Sequence, residues 1–245
     1  MSNIEQQFHA QIPLVNTNDY LKYNRDDLSL TLVKYDSSLF EAVFFQKNGI
    51  CCPEQIRTSN PVRQASYFYG RYCARQVLEH FGHADFIVES GAFNQPIWPK
   101  GINGSITHSS TYAAAFATCR SNNLGIGIDV EKNISTSRRN TIEQKVLSAT
   151  ELKLMNSKDH KLNTNMIFTL MFSVKESFFK AAFSNANRYF GFDYLEILEL
   201  DDQRYRVHAL VKKQLSKNIT KNRKVQFMFR LIGEDEILTY CEIDQ

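Results

Sequence analysis

Residues 125–131 read Gly125-Ile126-Gly127-Ile128-Asp129-Val130-Glu131, at the end of a strongly apolar run. A short run of this composition that closes on acids has the pattern of a strand leaving a core. Alternation along a strand sends Asp129 and Glu131 to one face, roughly 6 to 7 Å apart. Two carboxylates therefore converge where the strand opens outward. Taken alone, such a pair reads equally as a solvated strand end, so its meaning depends on what the rest of the chain brings to it.

Downstream, Phe172-Ser173-Val174-Lys175-Glu176-Ser177-Phe178-Phe179-Lys180 falls inside an apolar helical pattern over 164–184. Glu176 and Lys180 stand one turn apart on that helix and face the same way. An ordinary surface ion pair has the same spacing. Here, however, Phe168, Met171, Phe172, Phe179 and Phe183 flank the charges, and a carboxylate and an ammonium on a largely buried helix are costly unless a metal or a phosphate meets them. A second helix is expected over 141–157, and strands over 194–200, 205–211, 224–232 and 236–243. The Lys-rich stretch from Lys212 to Lys224 reads as a solvated helix face and turn.

Upstream, Asn122 and Asn123 make a turn that places the midpoint of the chain, with strands at 104–108 and 112–118 before it. Trp98-Pro99-Lys100-Gly101-Ile102-Asn103-Gly104-Ser105-Ile106-Thr107-His108-Ser109 offers glycines for close approach and three side-chain donors in a row, Thr107, His108 and Ser109. A helix is predicted from Pro61 to about Phe81, stopped by Gly82, and it carries Arg63, Arg71 and Arg75. Arginine's planar fork suits phosphate. Segments 29–35 and 41–46 are expected to pair as a hairpin, and 85–89 to form a further strand. Helices before strands in both halves make this an α+β chain, with boundaries at 1–122 and 123–245.

Composition restricts the class further. The chain has 245 residues, 43% hydrophobic and 22% charged, with a net charge of +3. That is an ordinary globular balance, too weakly basic to imply a nucleic-acid partner. Five cysteines without a CxxC pair argue against a disulfide framework or a structural zinc site and point to a reducing, cytoplasmic setting. The N-terminal MSNIEQQFHAQIPLV lacks the pattern of a signal peptide, and no segment approaches the ~20 apolar residues of a membrane span. A monomer without a transmembrane segment is expected.

Four spaced motifs in one order carry a family resemblance: RQASYFYGRYCAR from Arg63, QPIWPKGINGSITHS, GIGIDVE and FSVKESFFKAAF, followed by YFGFD ending at Asp193. The chain resembles the Sfp-type 4'-phosphopantetheinyl transferases, and within them the enterobactin synthetase component D-like subgroup. The resemblance implies two pseudo-symmetric α/β halves with the active site in the cleft between them. It implies transfer of phosphopantetheine from coenzyme A to a serine of an acyl, peptidyl or aryl carrier protein, as in siderophore nonribosomal peptide synthesis. Asp129, Glu131 and Glu176 would bind Mg²⁺. Lys180 would contact the diphosphate, while Arg63, Arg71 and His108 would hold the 3'-phosphoadenosine end with Thr107 beside them. Glu176 is the candidate general base, with Glu131 or a water as the alternative.

One departure from the subgroup is visible, since Gly91-Ala92-Phe93-Asn94-Gln95 lacks the basic residue usual before the Pro-x-Trp-Pro segment. An acidic carrier would dock on Lys132, Arg138 and Arg139 in a polar loop, with apolar contacts from Val146, Leu147 and Leu152. Two other classes stay open on the residues: a metal-dependent phosphohydrolase acting on a nucleotide, and a coenzyme A-binding regulatory module.

Overall fold

The computed structural model describes residues 20–158 and 160–245; the N-terminal stretch read above, with the start of the 1–122 half, lies outside the described residues. Two antiparallel sheets make up the fold. The first holds β1 (Tyr20–Arg25), β2 (Leu28–Lys34), β3 (Asn103–His108) and β4 (Tyr112–Thr118) in the order β1-β2-β4-β3. The second holds β5 (Asn123–Lys132), β6 (Leu195–Asp201), β7 (Arg206–Val211), β8 (Lys224–Ile232) and β9 (Glu236–Asp244) in the order β5-β9-β8-β7-β6. The helices are α1 (Val43–Lys47), α2 (Glu54–Arg57), α3 (Pro61–His80), α4 (Thr136–Val146), α5 (Ala149–Met155) and α6 (Thr164–Ala186). The mixture of helix and antiparallel sheet is the α+β class.

Strand alternation builds the layers. Val33, Ala113, Ala115 and Ala117 face α3, which buries Ala65, Cys73, Ala74, Val77 and Leu78 against them. Leu28, Leu30, Leu32, Ala114 and Phe116 point the other way, onto Ile126, Ile128, Val130, Leu238 and Tyr240 of the second sheet. Phe116 is fully buried there, a contribution of about 2 to 3 kcal/mol. The far face of the second sheet is covered by α6, whose Ile167, Phe168, Leu170, Met171, Val174 and Phe178 belong to the largest core cluster. Local signals set the helix ends. Asn60 caps α3 by accepting from Arg63 N, Pro61 follows it, and Gly82 takes a φ of +78° beyond the last turn.

Several expectations are corrected. Segment 41–46 is no strand: both edges of β2 are filled, by β1 and β4, and Val43–Lys47 coils so that Phe45 packs on Phe68 at 5.4 Å. Residues 85–89 join neither sheet among the described residues; Val88 is buried against the α3 cluster instead. The helix expected over 141–157 is broken at Leu147, where Ser148 and Glu151 form a capping box that starts α5. Of the stretch from Lys212 to Lys224, residues 212–223 form a loop whose Leu215 and Ile219 are buried, with no helix in it, and Lys224 opens β8. Arg138 and Arg139 lie on α4, not in a loop.

Candidate active site

The free edges of the two sheets meet along β3 and β5. Ser105 and Thr107 hydroxyls accept the N–H groups of Ile128 and Val130 at 3.2 and 3.1 Å, so side chains stand where ladder carbonyls would. On its other face β5 lies directly against α6. A Cβ on Gly125 would stand 1.9 Å from Ala181 O, and one on Gly127 1.9 Å from Ser177 O. The glycines of the opening motif thus let helix and strand touch, and the next residue on that face, Asp129, is brought under α6.

Asp129 is 4% exposed, and both of its oxygens accept hydrogen bonds, two on Oδ1 and one on Oδ2. Oδ1 accepts from Lys180 Nζ at 2.7 Å and from Thr107 Oγ1 at 3.1 Å, and Oδ2 accepts from Ser173 Oγ at 2.8 Å. Lys180 also donates to Ile128 O at 3.1 Å. Ser173 and Ser177 share Thr239 Oγ1 of β9 at 2.8 and 2.7 Å, which locks α6 to the second sheet. Ser173, Ser177, Thr239 and Ser105 escaped the sequence reading. The spacing of 173, 177 and 180 on one helix face was the available signal for the two serines, whereas Thr239 and Ser105 are set by strand register alone.

Glu131 and Glu176 face this pair without a hydrogen bond or ion pair among the described residues. Burial first, and then the Asp129 charge, pushes the Glu131 carboxyl up to about 7, and the same two causes raise Glu176. Carboxylates of this kind, hard oxygen donors only partly offset by the Lys180 and Arg138 charges, fit a divalent cation such as Mg²⁺. Among the described residues no three His, Cys, Asp or Glu side chains are already gathered as a cation cage. Mg²⁺ does not require one, since it keeps waters and takes carboxylates together with substrate phosphates.

On the N-terminal side, Arg63 Nη1 lies 3.2 Å from His108 Nε2. A guanidinium only donates, so the ring nitrogen accepts. The ring edge of His108 reaches solvent, and partial desolvation, then the Arg63 and Lys180 charges, lowers the imidazole below its ordinary value. Arg71, two turns further along α3 and within reach of the Arg63 charge, donates to Ser90 Oγ at 2.9 Å, lies 4.8 Å over the Tyr67 ring and lines a cavity of about 260 Å³ with Arg75. Glu176 and Lys180 line a second cleft of about 580 Å³ between β3 and α6, walled by Trp98, Phe179 and Phe183. Phe93 closes one side of it, packing on Phe183 and Tyr189 at 5.7 and 5.6 Å, with no basic side chain in its place.

The expected carrier surface is partly corrected. Val146 and Leu147 are each 4% exposed and belong to the core, and Arg139 is held by Asn165 and Glu143. Arg138 is exposed, and Lys132 lies 3.6 Å from Asp235.

The model of the 4'-phosphopantetheinyl transferase N-terminal domain matches residues 53–118, and that of the 4'-phosphopantetheinyl transferase superfamily matches residues 125–241. Enterobactin synthase component D of Salmonella typhi is 28% identical over 183 residues, 74% of this chain and 73% of that protein. The 4'-phosphopantetheinyl transferase Npt of Nocardia iowensis is 30% identical over 152 residues, 60% of this chain and 64% of that one. Enterobactin synthase component D of Escherichia coli K12 is 29% identical over 154 residues, 63% and 70% of the two chains.

Proposed function

Because the chain belongs to the 4'-phosphopantetheinyl transferase superfamily, we propose that its carrier-activating reaction runs at the seam of β3, β5 and α6, with coenzyme A as donor and Mg²⁺ as cofactor. The observation that carries the reading is the Asp129 carboxylate, held by a hydroxyl from the first sheet and an ammonium from α6, beside two glutamates with no hydrogen-bond donor among the described residues.

Asp129, Glu131 and Glu176 would hold the metal, which when bound would neutralise charge on the coenzyme A diphosphate. Lys180 contacts that diphosphate, and Arg63, Arg71 and His108 hold the 3'-phosphoadenosine end. The Thr107 hydroxyl, already bound to Asp129 and Val130 N, acts by fixing the acid. The carrier serine oxygen forms a bond to the β-phosphorus as the bond to the bridging oxygen breaks, and adenosine 3',5'-bisphosphate departs with the electron pair. Glu176 takes the serine proton, directly or through a water, with Glu131 as the other carboxylate near the same point. The protein's part is positioning and charge neutralisation.

Residues 1–122 form the nucleotide-binding half and 123–245 the metal-binding half; the change of sheet between Thr118 and Asn123 supports this division. The carrier is an acidic domain, and the likeness to enterobactin synthase component D supports a siderophore nonribosomal peptide pathway. Five free cysteines support a cytoplasmic enzyme, which we take to act as a monomer. Among the described residues no helix is long and apolar enough to cross a membrane.

Release of adenosine 3',5'-bisphosphate tests the reading. It is expected to require an apo-carrier and Mg²⁺ together. Release without carrier would mark a phosphohydrolase, and coenzyme A bound but left intact would mark a binding module.

A further inference from the structure

Glu236 opens β9 and is 3% exposed, yet its carboxylate reaches out of its own sheet. Oε1 accepts from Ser109 Oγ at 3.1 Å and from Thr111 Oγ1, both in the turn between β3 and β4 of the other sheet. The same turn is braced within itself. Ser109 Oγ accepts from Thr111 N at 3.2 Å and Tyr112 N at 3.0 Å, and Tyr35 OH donates to Ser109 O at 2.7 Å. A second contact joins the same two regions: a Cβ on Gly233, in the β8–β9 turn, would stand 3.0 Å from the Tyr112 hydroxyl. His108 immediately precedes this braced turn, at the last position of β3.

We propose that Glu236 is a positioning residue for coenzyme A, reaching from the second sheet to hold the Ser109–Thr111 turn and so fix the His108 imidazole where it meets the 3'-phosphate. A buried carboxylate gripping two hydroxyls of a turn is a stronger tether than any contact the turn makes to solvent, because its alternative is a desolvated charge without donors. The tether crosses between the sheets that bear the two ends of the donor, so it couples nucleotide binding to the register of the cleft. Misplacement of a contact group by about 1 Å costs binding or rate by one to two orders of magnitude. The inference rests on the proposed binding of the 3'-phosphate by His108.

Glu236→Ala is expected to raise the KM for coenzyme A about tenfold with kcat within about twofold, and to shrink the preference for coenzyme A over dephospho-coenzyme A. Glu236→Gln, which keeps an acceptor for both hydroxyls, should restore the wild-type KM. Thr111→Val removes one donor without burying a lone charge, and should shift KM the same way by a smaller factor even if the alanine variant fails to fold. Wild-type discrimination between the two donors in folded Glu236→Ala and in Thr111→Val would overturn the positioning role. A wild-type enzyme that does not distinguish the two donors would instead overturn the 3'-phosphate reading beneath it, and the inference with it.

Discussion

Lys180 Nζ lies 2.7 Å from Asp129 Oδ1, and this pair joins β5 to α6, the two elements that carry every carboxylate of the proposed site. Asp129→Ala would remove one acceptor from each of Lys180, Ser173 and Thr107, so it should cost about 2 to 4 kcal/mol of stability as well as transfer. Glu176→Gln removes a carboxylate that has no partner among the described residues. It should lower transfer at least about 100-fold with little change in Tm. Chemical unfolding beside a transfer assay separates the two; near-normal transfer by Glu176→Gln at saturating Mg²⁺ would remove it from the site.

A second lysine on the same helix has a different task. Lys175 Nζ donates to Glu151 Oε2 at 2.8 Å and to the carbonyls of Phe192 and Leu195, while Glu151 Oε1 accepts Ile197 N at 2.8 Å. Both side chains are at most 2% exposed. Breaking the pair by Glu151→Ala strands a buried ammonium and should destabilise the fold by about 3 to 5 kcal/mol. Urea denaturation of Glu151→Leu with Lys175→Met should show most of that loss recovered. A single mutant as stable as wild type would contradict the pairing.

Much of this was legible in advance, and the misses have physical causes. The acids of residues 125–131 and the Glu176 to Lys180 spacing are local patterns, fixed by strand and helix periods. The glycines beside them were read only as part of a motif, because their reason is the closeness of Ala181 and Ser177, some 50 residues away in sequence. Segment 41–46 has strand composition, but whether a strand forms depends on an open edge, and β1, which starts where the described residues begin, takes that edge. Val146 and Leu147 looked available for a partner because the break before α5 was not foreseen; the break turns them into the core.

Stability should carry a pH signature from Glu242. Its carboxyl is pushed from 4.5 up to about 7, by burial first and with Asp244 and Asp27 adding, against Arg120, which donates to it at 2.8 Å. Between those values the folded protein keeps a proton that the unfolded chain has lost. The stabilisation from that proton is complete below about pH 4.5 and disappears as pH rises through about 7. One such group contributes a slope of up to about 1.4 kcal/mol per pH unit. Glu242→Gln should flatten the unfolding free energy between these limits, and a slope identical to wild type would show that Glu242 is already ionised there.

For the proposed docking of an acidic carrier, Arg138 is exposed on α4, whereas Arg139 is already occupied by Asn165 and Glu143. Arg138→Glu should raise the KM for an acidic carrier a few-fold and flatten its salt dependence, because rim charges act mostly on encounter. Coenzyme A affinity should be unchanged. A carrier KM and salt response equal to wild type would move the docking surface elsewhere.

The chemistry proposed for the seam of β3, β5 and α6 leaves its mark on the carrier. Intact-mass measurement of an apo-carrier domain incubated with this protein, coenzyme A and Mg²⁺ addresses it most directly. A gain of roughly 340 Da, the mass of one phosphopantetheine arm, is expected on a single serine. That gain should be absent when the serine is alanine, when Mg²⁺ is chelated, or when Glu176→Gln replaces the wild type. A carrier mass that stays unchanged with folded wild-type protein across siderophore, other peptide, polyketide and fatty acid carriers would contradict it.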